Sequence, residues 1–155
     1  MNKRDLVRLY DGLGAVGKLK GIKFVYAVAR NRKLLEPEVM PLQTAMEPDE
    51  KFVEFEQKRI QLCERLADKT TQGTPIRELG SFRIIEHRAE FDKALAELRT
   101  QYKDAVDGRI NQEQEYEKML DEEVEGIKFH KIKMGDVPSD ITAQQLEGIL
   151  EVISE

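Results

Sequence analysis

The run Gly12-Leu13-Gly14-Ala15-Val16-Gly17-Lys18 has the spacing G-x-G-x-x-G. In dinucleotide-binding folds that spacing brings backbone amides and a helix N-terminus to a pyrophosphate. The chemistry needs a strand before the glycines and a β-α-β unit around them. Here Leu6, Leu9, Tyr10 and Leu13 precede and share the run with helical spacing, and charged, proline-containing segments follow where a second parallel strand should lie. The run is not a Walker loop either, because four residues must separate the last two glycines and Ser or Thr must follow the Lys. Glycines in a hinge between two helices account for Gly12, Gly14, Gly17 and Gly21, and a nucleotide or small-anion binder ranks third among the functional readings.

The other reactive side chains are few. Cys63, His87 and His130 stand far apart in sequence, so no zinc pattern and no nucleophilic triad can be read from their spacing. Cys63 beside Leu62 reads as a small buried thiol. The carboxylates of Glu113, Glu115, Glu117, Asp121, Glu122, Glu123 and Glu125 read as a wet helix face rather than a paired acid and base. The sequence predicts a protein that is not an enzyme, with no catalytic residue, no cofactor and no metal.

A contact surface is better supported. Lys18, Lys20, Lys23, Arg30, Arg32 and Lys33 form a basic group, and on a helix Lys23 and Arg30 lie a heptad apart with Lys20 three residues earlier. Residues 1–36 hold nine Lys and Arg against three acids, a net +6 within a chain of net −5, which leaves −11 for the remainder. The two parts can neutralise each other within the fold, or the basic group can meet an acidic partner or an anion. Overall acidity, with only Phe24 and Tyr26 nearby to stack on bases, argues against nucleic acid.

Those residues need elements to hold them. With 155 residues a single domain, 1–155, is expected, and 35% charged residues, 6% aromatic and no Trp suit long helices wetted on most sides. No apolar run approaches a membrane span, so the chain reads as soluble and intracellular.

The fold class expected is mainly α, with a long antiparallel, coiled-coil-like helical hairpin, a short β-hairpin, one C-terminal strand and terminal helices. Asp5 to Leu13 forms a first helix. A second begins at Lys18 and breaks or kinks near Leu35–Pro41, because Pro37 and Pro41 each remove an amide donor. A third covers Asp49 to Lys69 with Phe52, Phe55, Leu62 and Leu66 on its seam. It pairs with a spine helix from Arg88 to Val124, where Phe91, Leu95, Leu98, Tyr102 and Ala105 lie on one stripe. Arg109, Gln112, Tyr116 and Met119 continue that register, with a joint placed at Asp107-Gly108. Residues 49–122 thus form a hairpin arm with a β tip near 75–85, turning at Gly80-Ser81, while 1–47 and 123–155 form a base. Ile127 to Met134 is a strand with a slip between Phe129 and Ile132. Its neighbour is the N-terminal segment or a second chain rather than residues 76–85. Thr142 opens a last helix carrying Leu146, Ile149, Leu150 and Ile153.

Two stretches carry a resemblance. Lys20-Gly21-Ile22-Lys23-Phe24-Val25-Tyr26-Ala27-Val28-Ala29-Arg30-Asn31, followed by Leu35-Glu36-Pro37-Glu38, is similar to small proteins of tailed bacteriophages and prophages. Glu123 to Ile132 with Asp136, Pro138 and Ile141 resembles the way such proteins end. The resemblance implies a source and a size class and brings no catalytic residues with it. The reading is a phage-encoded protein–protein interaction protein, a structural component or assembly chaperone, expected as a homo-oligomer in the host cytoplasm or the virion. An inhibitor binding a host defence or replication protein is the alternative.

Overall fold

The computed structural model describes residues 1–155. The chain is mainly helical, with two small two-stranded sheets. It forms two compact units, residues 1–46 with 114–155 and residues 47–113.

In the first unit, α1 (Lys3–Ala15) is opened by Asn2, not Asp5. The Asn2 side chain accepts from the Asp5 amide at 2.9 Å, and the Asp5 carboxylate accepts from the Asn2 amide at 3.4 Å. This reciprocal box satisfies two amides that the first turn leaves without partners. Leu6, Leu9 and Leu13 face inward, with Val16 after the helix end, and are essentially buried. Each such side chain contributes about 1.5–3 kcal/mol relative to exposure.

They pack on α2 (Ile22–Ala45) through Phe24, Ala27, Val28, Leu35 and Val39, and Ile132, Ile149 and Val152 complete the core. The helix starts at Ile22 behind Gly21, whose φ of 118° is open to glycine, and so leaves Lys18 and Lys20 in the connector. It also runs unbroken through Pro37 and Pro41, so of the break or kink expected near Leu35–Pro41 the break does not occur. The two prolines are four residues apart and both exposed, so the carbonyls they leave without partners are on the wet side.

The C-terminal region differs from the expectation in three ways. The strand expected over 127–134 is only β3 (Ile132–Lys133), although Ile127, Phe129 and Ile132 all pack inward and the slip falls on the exposed pair His130–Lys131. Its partner is β4 (Ile153–Ser154), paired in parallel as Ile132 with Ile153 and Lys133 with Ser154. The last helix is accordingly short: α6 (Ala143–Glu147) starts in a Thr142–Gln145 capping box, a 3₁₀ turn covers Leu150–Val152, and Ile153 belongs to β4. A parallel pair needs a crossover, and residues 134–152 supply it.

In the second unit, α3 (Glu50–Leu66) begins at Asp49, whose carboxylate accepts from the Lys51 amide at 2.7 Å. It packs on α4 (Arg88–Gln101) through Leu62, Cys63, Leu66 and Phe91, with Phe82, Ile84, Ala94 and Leu95 around them. The spine expected from Arg88 to Val124 is two helices, α4 and α5 (Lys103–Leu120). The joint is at Tyr102 (φ −108°, ψ 25°), while Gly108 lies inside α5. Tyr102 is held against α3: its ring centroid is 6.0 Å from that of Phe55, its hydroxyl donates to Glu54 at 2.5 Å, and it accepts from Lys58 at 2.5 Å. The Tyr102 hydroxyl, with the Lys58 and Lys51 ammonium groups, holds the Glu54 carboxyl at a pKa of about 2. The polar seam positions have partners too. Arg109 stands 5.7 Å from the Phe52 ring, and Gln112 donates to the Glu47 carbonyl at 2.9 Å.

Between α3 and α4, β1 (Arg77–Glu78) and β2 (Ser81–Phe82) pair antiparallel around a turn at Leu79-Gly80, one residue earlier than expected. Both turn residues have positive φ, 49° and 83°, as a type I′ hairpin requires. The buried carboxylate of Asp68 organises the connection. It accepts from the amides of Ile85 and Glu86 at 3.1 Å each and from Arg83 Nε at 2.9 Å.

Candidate interaction surface

Helix α2 shows two opposed faces. Phe24, Ala27, Val28, Asn31, Leu35, Val39 and Leu42 are buried. At about 100° per residue, Ile22, Val25, Tyr26, Ala29 and Lys33 fall on the opposite side, with Met40 further along the same line. That side is exposed, Ile22 at 92%, Tyr26 at 53% and Met40 at 48%. An apolar row at helical spacing on the solvent side is not what packing within the chain requires, and contiguous exposed apolar surface marks interaction sites.

The basic residues are distributed around this row. Lys33 lies on it, and Lys23 and Arg30 flank one side. The Arg30 guanidinium donates to the Tyr26 hydroxyl at 3.4 Å and stands 5.8 Å from that ring. Lys18 and Lys20 are exposed in the connector before the helix. Arg32 departs from the group: it is half-buried, with its guanidinium 4.6 Å from the Tyr10 ring. Lys23 is 3.7 Å from Asp136, while Lys18, Lys20, Arg30 and Lys33 form no ion pair.

The acidic stretch is engaged elsewhere. The Met1 amine pairs with Glu123 at 2.8 Å, Lys3 with Glu122 at 2.6 Å, and Arg4 with Glu117 and Asp121 at 2.9 and 3.1 Å. Beneath these, the Lys3 amide donates to the Glu122 carbonyl and the Val124 amide to the Met1 carbonyl, so backbone bonds fix the register and exposed ion pairs line it. The opposite charges of the chain therefore meet at the start of α1, and among the α2 cations only Lys23 has an ion-pair partner, Asp136.

The glycine run has a packing role at its first member. Gly12 and Gly14 lie inside α1, and a Cβ on Gly12 would come within 2.1 Å of the Gly148 carbonyl oxygen. A close helix–helix approach of this kind needs glycine. It leaves the run at the C-terminal end of a helix, the wrong end for a phosphate. His87 precedes α4 without a side-chain cap bond, 3.8 Å from Glu90, and the His130 ring meets Tyr26 edge to face with centroids 5.7 Å apart. Cys63 is buried among α3 and α4 residues. No helix is long and apolar enough to cross a membrane.

Ile22, Val25, Tyr26 and Ala29 have helical spacing in the sequence, but that Tyr26 is the centre of an exposed row, bracketed by Arg30 and His130, follows only from the fold. Comparison with protein-family models, curated proteins and solved structures returns no match for this chain.

Proposed function

We propose that this chain is a phage or prophage assembly protein that uses the outer face of α2 to dock on an acidic protein surface, the partner being a second copy of itself. The observation that carries the reading is the row Ile22, Val25, Tyr26 and Ala29, exposed at helical spacing beside Arg30 and Lys33, which have no ion-pair partner, and Lys23, whose one partner is Asp136 at 3.7 Å. Apolar contacts of that kind supply affinity, while the flanking charges supply register and on-rate.

Two α2 faces set against each other would oppose like charges. The chain outside residues 1–36 carries −11, so the favourable contact sets α2 of one copy against an acidic surface of another. Such a contact is heterologous, and heterologous contacts propagate into rings or filaments. That outcome suits an assembly role better than an enzyme's. In the same reading α3 and α4 form an antiparallel hairpin of coiled-coil type. The reversed order of its contacts supports this, with Phe55 against Tyr102 and Leu66 clustered with Phe91.

Sedimentation of wild-type protein beside Ile22→Asp and Tyr26→Asp tests the proposal. Both side chains are exposed, so the variants should fold as wild type does. Loss of the assembled species in both supports the face; assembly unchanged in both overturns it. Wild-type protein that stays monomeric and instead binds a host defence or replication protein through the same residues would replace assembly with inhibition.

A further inference from the structure

A hollow of about 400 Å³ lies among α3, the β1–β2 hairpin and the first turn of α4. Its volume falls in the range of small-molecule sites, about 300–1,000 Å³. The apolar part of its wall is Ile60, Phe82, Ile84 and Phe91. Three arginines, Arg59, Arg77 and Arg88, share the wall with Cys63, Gly80 and Ser81, and no Asp or Glu lines it.

The three cations are not equally satisfied. Arg59 is held by Glu56 through two bonds of 2.8 and 2.7 Å, and Arg88 lies 3.1 Å from Asp92. Arg77 has no ion pair, and its guanidinium stands 4.1 Å from the Phe82 ring centroid. The hollow thus combines one uncompensated cation, two partly engaged ones and aromatic surface.

A neutral apolar occupant would desolvate the guanidinium donors and give them no acceptor, at a cost. A bare inorganic anion would satisfy the donors and leave the aromatic wall wet. Both demands are met by a ring-sized apolar body bearing one anionic group, since guanidinium pairs with carboxylate and phosphate through parallel bonds. We propose that this hollow binds a small organic anion, an aryl or alkyl carboxylate or phosphate monoester, anchored by Arg77 with its body against Phe82 and Phe91. The site shares no residue with α2, so it stands or falls separately from the docking face.

Amide chemical-shift titration of the full chain with phenyl phosphate, benzoate, inorganic phosphate and benzyl alcohol provides the test. Saturable binding is expected for phenyl phosphate or benzoate, with shifts at residues 59–63 and 77–91, and the tighter of the two identifies the anionic group. Inorganic phosphate and benzyl alcohol should each bind about tenfold more weakly or less. Arg77→Gln should weaken binding about tenfold, while Lys128→Gln, which removes the same charge at an exposed position of the other unit, should leave it unchanged. Arg77 is exposed and unpaired, so its variant should keep the wild-type spectrum elsewhere. Absence of saturation up to about 10 mM of both organic anions would overturn the proposal. So would equal binding of inorganic phosphate, or equal weakening by Lys128→Gln and Arg77→Gln.

Discussion

The side-chain amide of Asn31 forms two hydrogen bonds with the backbone of His130, donating to its carbonyl at 2.8 Å and accepting from its amide at 2.7 Å. Asn31 is completely buried. It stands in for a neighbouring strand where the segment before β3 has none. Asn31→Ala removes both partners, and each buried group left unsatisfied costs about 1–3 kcal/mol. We predict a loss of about 2–4 kcal/mol in urea unfolding. A change below the error of that measurement would show that water satisfies His130 instead.

Gly12 and Gly148 are in backbone contact, so a side chain on Gly12 must push α1 and α6 apart. Gly12→Ala should destabilise by about 1–3 kcal/mol, as overpacking does. Gly108 is also helical and has nothing within 4 Å of the position a Cβ would take. Gly108→Ala should therefore stabilise by about 0.5–1 kcal/mol. Equal effects in thermal melts would contradict the packing role assigned to Gly12.

Leu79 is fully exposed and holds a φ of 49° at the hairpin tip. A left-handed conformation costs an ordinary side chain about 1–2 kcal/mol, and Asn less. Leu79→Asn should raise the melting temperature, consistent with an Asn-Gly turn. A fall would indicate that Leu79 makes a contact through its side chain.

The amides of Glu86 and Ile85, with Arg83, hold the Asp68 carboxyl below the usual aspartate range. A carboxylate lowered by folding stabilises fully above its unfolded pKa of about 3.9, and that contribution disappears as pH falls through the folded value. Wild-type protein should thus lose stability on acidification below about pH 4, more steeply than Asp68→Asn. The variant should already be less stable at neutral pH, because the asparagine oxygen can keep the two backbone amides only by turning its NH2, a donor, toward Arg83 Nε. Parallel acid limbs for the two proteins would contradict the assignment.

Helical spacing was the most legible feature of this chain. The stripe Phe91, Leu95, Leu98, Tyr102, Ala105, Arg109 lies on the covered side of α4 and α5 throughout, as does Phe55, Leu62, Leu66 on α3. The places where helices start and stop were less legible. Pro37 and Pro41 signal a break by local rules, but their spacing turns both to solvent and the buried row from Leu35 to Leu42 holds the helix together. Gly108 signals a joint, while the actual joint is set by what the Tyr102 side chain reaches on α3, a long-range contact with no local signature. The β3–β4 pair was hidden for the same reason. Two residues from each strand, 21 positions apart, carry too little pattern to predict their pairing. For the candidate surface, the cations were recognisable from sequence. That Arg30 and Lys33 form no ion pair while Lys23 reaches Asp136, and that Arg32 departs toward Tyr10, required the fold.

The docking face of α2 is the central claim, and mass in solution as a function of salt tests it most directly. At about 0.05 M salt the protein should run as a multiple of its 17.9 kDa chain and shift toward the single chain near 1 M, where charges are screened within about 3 Å. A single-chain mass at low salt and high protein concentration, or an assembled mass indifferent to salt, would contradict it.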